Sequence, residues 1–129
     1  DMALNPSLAL LWTISILSWH AFHNLVNDWQ DLEDDDKPVG SFRTDYGCHA
    51  LKQGFLTKTQ FLRLMILVGL PGATLTWALR NSVVGPAGPW GIAALFLYTI
   101  LFKPLALGEA CIFCVWGPLM AGYGAIAAG

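Results

Sequence analysis

Four stretches of predominantly apolar residues divide the chain, running from about Ser7 to Val26, Phe61 to Leu79, Val83 to Phe102 and Leu105 to Ala128. A bilayer's hydrocarbon core, roughly 30 Å thick, takes about 20 apolar residues per helix, so each stretch predicts a transmembrane span. The third is the least regular. Gly85, Pro86, Gly88 and Pro89 crowd its start and leave Trp90 to Phe102 as uninterrupted helix, which predicts an irregular entry. Between the first two spans lies the one polar segment, residues 27–60. The pattern predicts an all-α integral membrane bundle of about four transmembrane helices, a single membrane domain over residues 1–129.

Charge strengthens that picture. Of 129 residues 55% are hydrophobic, and the sixteen charged ones divide into seven Lys or Arg and nine Asp or Glu. Eleven of the sixteen lie between Asp28 and Lys58, leaving Asp1, Arg63, Arg80, Lys103 and Glu109 for all the rest. With a net charge of -2 and no basic run, the chain lacks the footprint of a nucleic-acid binder. The polar segment holds Lys37, Arg43, Lys52 and Lys58, so the positive-inside rule predicts that this acidic loop faces the cytoplasm. Alternation then puts the Lys103-Pro104 turn on the same face and the Arg80 to Pro89 connection on the other. Gly69, Gly72 and Ala73 have the small-residue spacing that lets membrane helices approach closely. No secretory leader is evident. A start at Asp1 and a Gly-Ala-rich end predict a piece of a longer protein.

Candidate chemistry begins inside the first span. His20, His23, Asn24, Asn27, Asp28 and Asp31 recur at helical spacing and form one stripe toward the end of that helix. Polar groups in a membrane helix face a bundle interior or a wet cavity, and are functional by default. The plainer alternative is hydrogen bonding to neighbouring helices. Two histidines would also suit a metal or pigment. Past the stripe, residues 28–36 hold six carboxylates, Asp28, Asp31, Glu33, Asp34, Asp35 and Asp36, a density that invites hard divalent cations such as Mg2+. Cys111 and Cys114 are spaced like a redox or zinc pair but lack further ligands, and read as two helical cysteines in an apolar setting.

At this motif the sequence resembles the UbiA superfamily of intramembrane prenyltransferases, nearest to the menaquinone, 1,4-dihydroxy-2-naphthoate branch. Asn24, Asn27, Asp28, Asp31 and Asp35 fill the places of that family's first Asp-rich signature. Gly54-Phe55-Leu56-Thr57 with Gln60 is similar to its loop into the next helix, and Tyr98-Thr99, Leu107-Gly108-Glu109 and Gly117-Pro118 are similar to later segments. The resemblance implies transfer of a polyprenyl group from its diphosphate to an aromatic acceptor in quinone or pigment biosynthesis. It implies Mg2+ held by Asp28, Asp31 and Asp35, catalytic roles for Asn27, Asp28 and Asp31, and diphosphate or substrate contacts from Asn24, Arg43, Lys52, Lys58 and Lys103. The prenyl tail would run among Trp12, Trp19, Phe22, Phe61 and Phe113 where these face inward.

The departures are as specific. Members of that family are longer and carry a second Asp-rich motif, whereas this chain has no carboxylate after Glu109. Lys37-Pro38 and Ser41-Phe42-Arg43 stand where an Arg-Pro pair is common. These differences leave a second reading open: a non-catalytic membrane subunit of UbiA descent that binds lipid, quinone or pigment beside other subunits of a photosynthetic or respiratory complex.

Overall fold

The computed structural model describes residues 5–31 and 50–128. Among the described residues all regular structure is helical: α1 (Pro6–Asp31), α2 (Lys58–Ala78), α3 (Ala87–Leu97) and α4 (Gly108–Cys114), with a last short α5 (Tyr123–Ala128). Two wide-turned π segments continue these rods, Tyr98–Phe102 after α3 and Val115–Gly122 between α4 and α5.

Local chemistry sets the helix ends. Asn5 Oδ1 accepts the Leu8 amide at 3.0 Å and Pro6 follows, a side-chain cap with proline in the first turn. Thr57 caps α2 in a reciprocal box: its hydroxyl accepts from Gln60 N at 3.2 Å while its own amide donates to Gln60 Oε1 at 2.9 Å. The Thr57 and Gln60 pair has this structural role whatever else the segment does. Pro118 has no N–H to give and its ring crowds the preceding turn, so the Val115–Gly122 stretch opens into wider turns. Ala106 closes the Lys103–Leu107 turn with φ +56°, a left-handed conformation that a Cβ opposes.

Helices α1 and α2 run antiparallel in close register. Their pairs descend in step: Ser15 with Thr76, Trp19 with Gly72, Phe22 with Gly69, and Trp29 with Phe61 at 6.2 Å between rings. A Cβ at Gly69 would lie 2.8 Å from the Phe22 ring, and one at Gly72 3.3 Å from Ser18 and Trp19. The small-residue spacing in the sequence is therefore used at Gly69 and Gly72, while Ala73 is exposed. Near the other end of α1, Trp12, Leu79, Val84, Ala87 and Ala127 form the buried core, bracing the Arg80–Pro86 connection and the chain's last helix. That connection turns on Gly85, where a Cβ would meet the carbonyl oxygen of Arg80.

Two rods, Lys58–Ala78 and Gly108–Ala128, are long and apolar enough to cross a membrane. Only 11% and 12% of their most apolar windows are buried within the molecule, so their apolar side chains face outward. Ala87–Phe102 is apolar but shorter, and α1 is not among the two, its second half carrying the polar stripe. Among the described residues the four expected spans fall on helical rods, two of which meet the length and composition of a membrane crossing. α2 carries an aromatic and cationic pair at each end: Lys58 lies 5.9 Å above the Trp29 ring and Arg80 4.3 Å above Trp77. From Lys58 to Trp77 the helix rises about 28 Å, close to the roughly 30 Å of hydrocarbon such belts flank.

Candidate functional site

The stripe on α1 meets a cavity. His20, His23, Asn24 and Asn27 form one wall of a space of about 110 Å³ whose other walls are Tyr98 of the first π segment and Cys111 of α4, with apolar side chains between. The polar stripe of α1 is therefore directed at the gap between α3 and α4, while α2 takes the neighbouring seam of Ser15, Trp19, Phe22 and Trp29. Helical periodicity explains the division. Residues 15, 19 and 22 share one face and residues 20, 23, 24 and 27 the next.

Within the cavity His23 and Tyr98 meet edge to face, 5.0 Å between ring centroids and 78° between planes. Tyr98 in turn covers the start of α4, its ring 3.2 Å from where a Cβ of Gly108 would sit. Gly108 thus lets the tyrosine lie flat against the helix and reach His23. Asn24 and His20 approach at 3.3 Å between Nδ2 and Nε2. Buried His23 Nε2 has no hydrogen-bond partner, and the same holds for Gln30 Oε1 two turns on and for Trp12 Nε1 in the distant core. A buried polar atom without a partner costs on the order of 1–3 kcal/mol.

The other sequence-predicted residues distribute as follows. Asp28 is half-buried on α1, one residue past the cavity wall. Lys103, also half-buried, ends the π segment that Tyr98 begins, its amide donating to Tyr98 O at 2.8 Å. Lys58 sits at the first turn of α2 against Trp29, and Lys52 is exposed in the turns before it. The helix ends bearing Asp28, Lys58 and Lys103 thus lie at one end of the bundle, as the alternation of spans predicts. The Asp31 side chain, Asp35 and Arg43 lie outside the described residues. Among the described residues no three His, Cys, Asp or Glu side chains converge as a metal site, and of the expected Mg2+ ligands only the Asp28 side chain is described.

Two participants were not singled out for this site from the sequence alone, Cys111, which is buried at the cavity wall while Cys114 is exposed, and Tyr98, quoted only as part of a resemblance; nor was Gln30, which lies outside this cavity. Gln30 follows His23 by seven residues, so the stripe's own spacing would have found it. Of the five aromatics considered for tail contacts, Phe61 and Trp12 are buried, Trp19 and Phe22 are half-buried, and Phe113 is 76% exposed and faces away.

A smaller apolar space of about 40 Å³, walled by Trp12, Ile16, Trp19, Gly91 and Leu119 among others, adjoins the polar cavity through Leu95, Val115 and Met120. The pair makes an amphipathic interior: histidine and asparagine toward the Asp28 end, aromatic and aliphatic side chains toward the core. No family model, no curated protein and no solved structure matches this chain.

Proposed function

We propose that the chain is the part of a UbiA-like intramembrane prenyltransferase that receives the head of a polyprenyl diphosphate and passes its group to an aromatic acceptor. The observation that carries this reading is the amphipathic interior, in which the His20, His23, Asn24 and Asn27 wall continues into an apolar space. An isoprenoid diphosphate has that same division. Its charged head would lie at the Asp28 end, where Lys58 and Lys103 supply cationic counter-charge. Asn24 and Asn27 would donate amide hydrogens to phosphate oxygens, and the first isoprene units would run toward Trp19 and Trp12. Mg2+ belongs to the proposal as counter-charge on the leaving diphosphate, with Asp28, Asp31 and Asp35 as oxygen ligands.

The test is transfer of a labelled farnesyl group from farnesyl diphosphate to 1,4-dihydroxy-2-naphthoate by the intact protein in nanodiscs with Mg2+. Asp28→Asn should lower the rate by about 100-fold or more, with membrane insertion unchanged. Wild-type transfer in that variant, or none by the wild type, overturns the assignment.

A further inference from the structure

Between Arg63 and Lys103 the one charged residue is Arg80, exposed just past the end of α2. The acids among the described residues, Asp28, Asp31 and Glu109, belong to helix ends at the other end of the bundle. No described carboxylate therefore answers this cation. We propose that Arg80 binds the phosphate of an anionic phospholipid, one of whose chains lies along the outward face of α2. The site is at the end of α2 opposite Lys58, and the inference stands whether or not the cavity beside α1 holds a diphosphate.

The guanidinium is held in place before any lipid arrives. Its Nη1 donates to the carbonyl oxygen of Trp77 at 2.8 Å, and the group lies 4.3 Å above the Trp77 ring. Arginine stacks on aromatic faces, and its remaining N–H donors form a planar fork that matches phosphate two bonds at a time. Arg80 is exposed, so that fork is open to a headgroup. Tryptophan favours the level where hydrocarbon meets headgroups, and Trp77 and Trp90 are 69% and 68% exposed. A Cβ at Gly88 would lie 2.6 Å from the Thr76 methyl, a close approach that brings the start of α3, and Trp90 with it, to the same level.

Below the headgroup level the seat is apolar. Ile66, Leu70, Ala73 and Trp77 recur at helical spacing as one exposed stripe that leads to Arg80. From Ile66 to Trp77 the helix rises about 16.5 Å, close to half of the roughly 30 Å hydrocarbon core and so to the depth of one leaflet. A lipid with its phosphate at Arg80 lays one chain along this stripe. Charge selects the headgroup. Phosphatidylglycerol brings a net negative charge to the unanswered cation, whereas phosphatidylcholine carries its own cation beside the phosphate.

The test transfers the intact protein from nanodiscs of equal phosphatidylglycerol and phosphatidylcholine into a mild detergent and counts the retained lipids by native mass spectrometry. The expected result is a retained phospholipid, phosphatidylglycerol over phosphatidylcholine by about fivefold or more. Arg80→Gln should lower that retention by about tenfold or more, whereas Arg63→Gln, which removes an exposed cation of the same helix, should leave it unchanged. Millimolar inorganic phosphate should not displace the lipid. No retained lipid, equal retention of the two lipids, retention that survives Arg80→Gln, or the same loss in both variants would each overturn the proposal. Displacement by phosphate would mark a site for free anions, and a dimer that dissociates in Arg80→Gln would mark a second copy as the occupant; either result also overturns it. The two-lipid comparison uses the wild type, so a misfolded variant leaves it decisive.

Discussion

Two neighbouring faces of α1 behave in opposite ways. Toward α2 the helix presents Ser15, Trp19 and Phe22, and every polar atom there has an answer: Trp19 Nε1 and Ser15 Oγ both reach Thr76 Oγ1, at 2.9 and 3.3 Å, and Ser15 also approaches Gly72 O at 3.5 Å. Toward α3 and α4 it presents His20, His23, Asn27 and Gln30, and there two cavities of about 100 Å³ open and two buried polar atoms stay unanswered. The difference lies in the partner helix. Gly69 and Gly72 let α2 close to backbone distance, so short hydroxyls and ring edges span the gap. Leu95, Tyr98 and Cys111 hold α3 and α4 further off, and the space they leave is polar on one wall. One face is satisfied from within the bundle and the other is not.

The contrast breaks most severely at Gly72. Gly72→Leu drives a branched side chain into Ser18 and Trp19, already 3.3 Å from a hypothetical Cβ, and should destabilise the α1 and α2 pair by about 3 kcal/mol; reversible unfolding in bicelles reads this directly. Thr76→Val keeps the shape but strands the Trp19 N–H and leaves the Ser15 hydroxyl only Gly72 O at 3.5 Å, an expected loss of about 2 kcal/mol by the same measurement. On the neighbouring face His23→Leu removes a ring nitrogen that has no partner, so it should stabilise the bundle by about 1 kcal/mol. The smallest effect is expected at the turn beneath Tyr98. Ala106→Gly relieves a left-handed residue and should gain about 0.5 kcal/mol, less than the full steric penalty because glycine also frees the unfolded chain.

Much of this arrangement is legible in the sequence. Apolar run length gives the helical rods among the described residues, and helical spacing gives the polar stripe that the structure turns toward a cavity. Boundaries are less legible because hydropathy marks where lipid would end and not where the helix does. α1 continues through Asn27 and Asp28 to Asp31, five residues beyond its apolar run, and α2 starts at Lys58, where Thr57 and Gln60 cap it. The π segments carry a weaker signal: Pro118 marks one, but nothing within Tyr98–Phe102 announces the other. That second segment sets Tyr98 against His23, so the least legible turn completes the cavity. Gln30 sits at the stripe's own spacing, yet its place in a separate groove depends on where α3 ends, which is a tertiary fact.

α1 divides into a satisfied face and an unsatisfied one. Unfolding free energies of the wild type, Thr76→Val and His23→Leu, measured in the same bicelles without added ligand, read this division. Opposite signs are predicted, a loss of about 2 kcal/mol for the first and a gain of about 1 kcal/mol for the second. A comparable loss in both would mean that His23 is tied into the fold as Thr76 is, and would contradict the division.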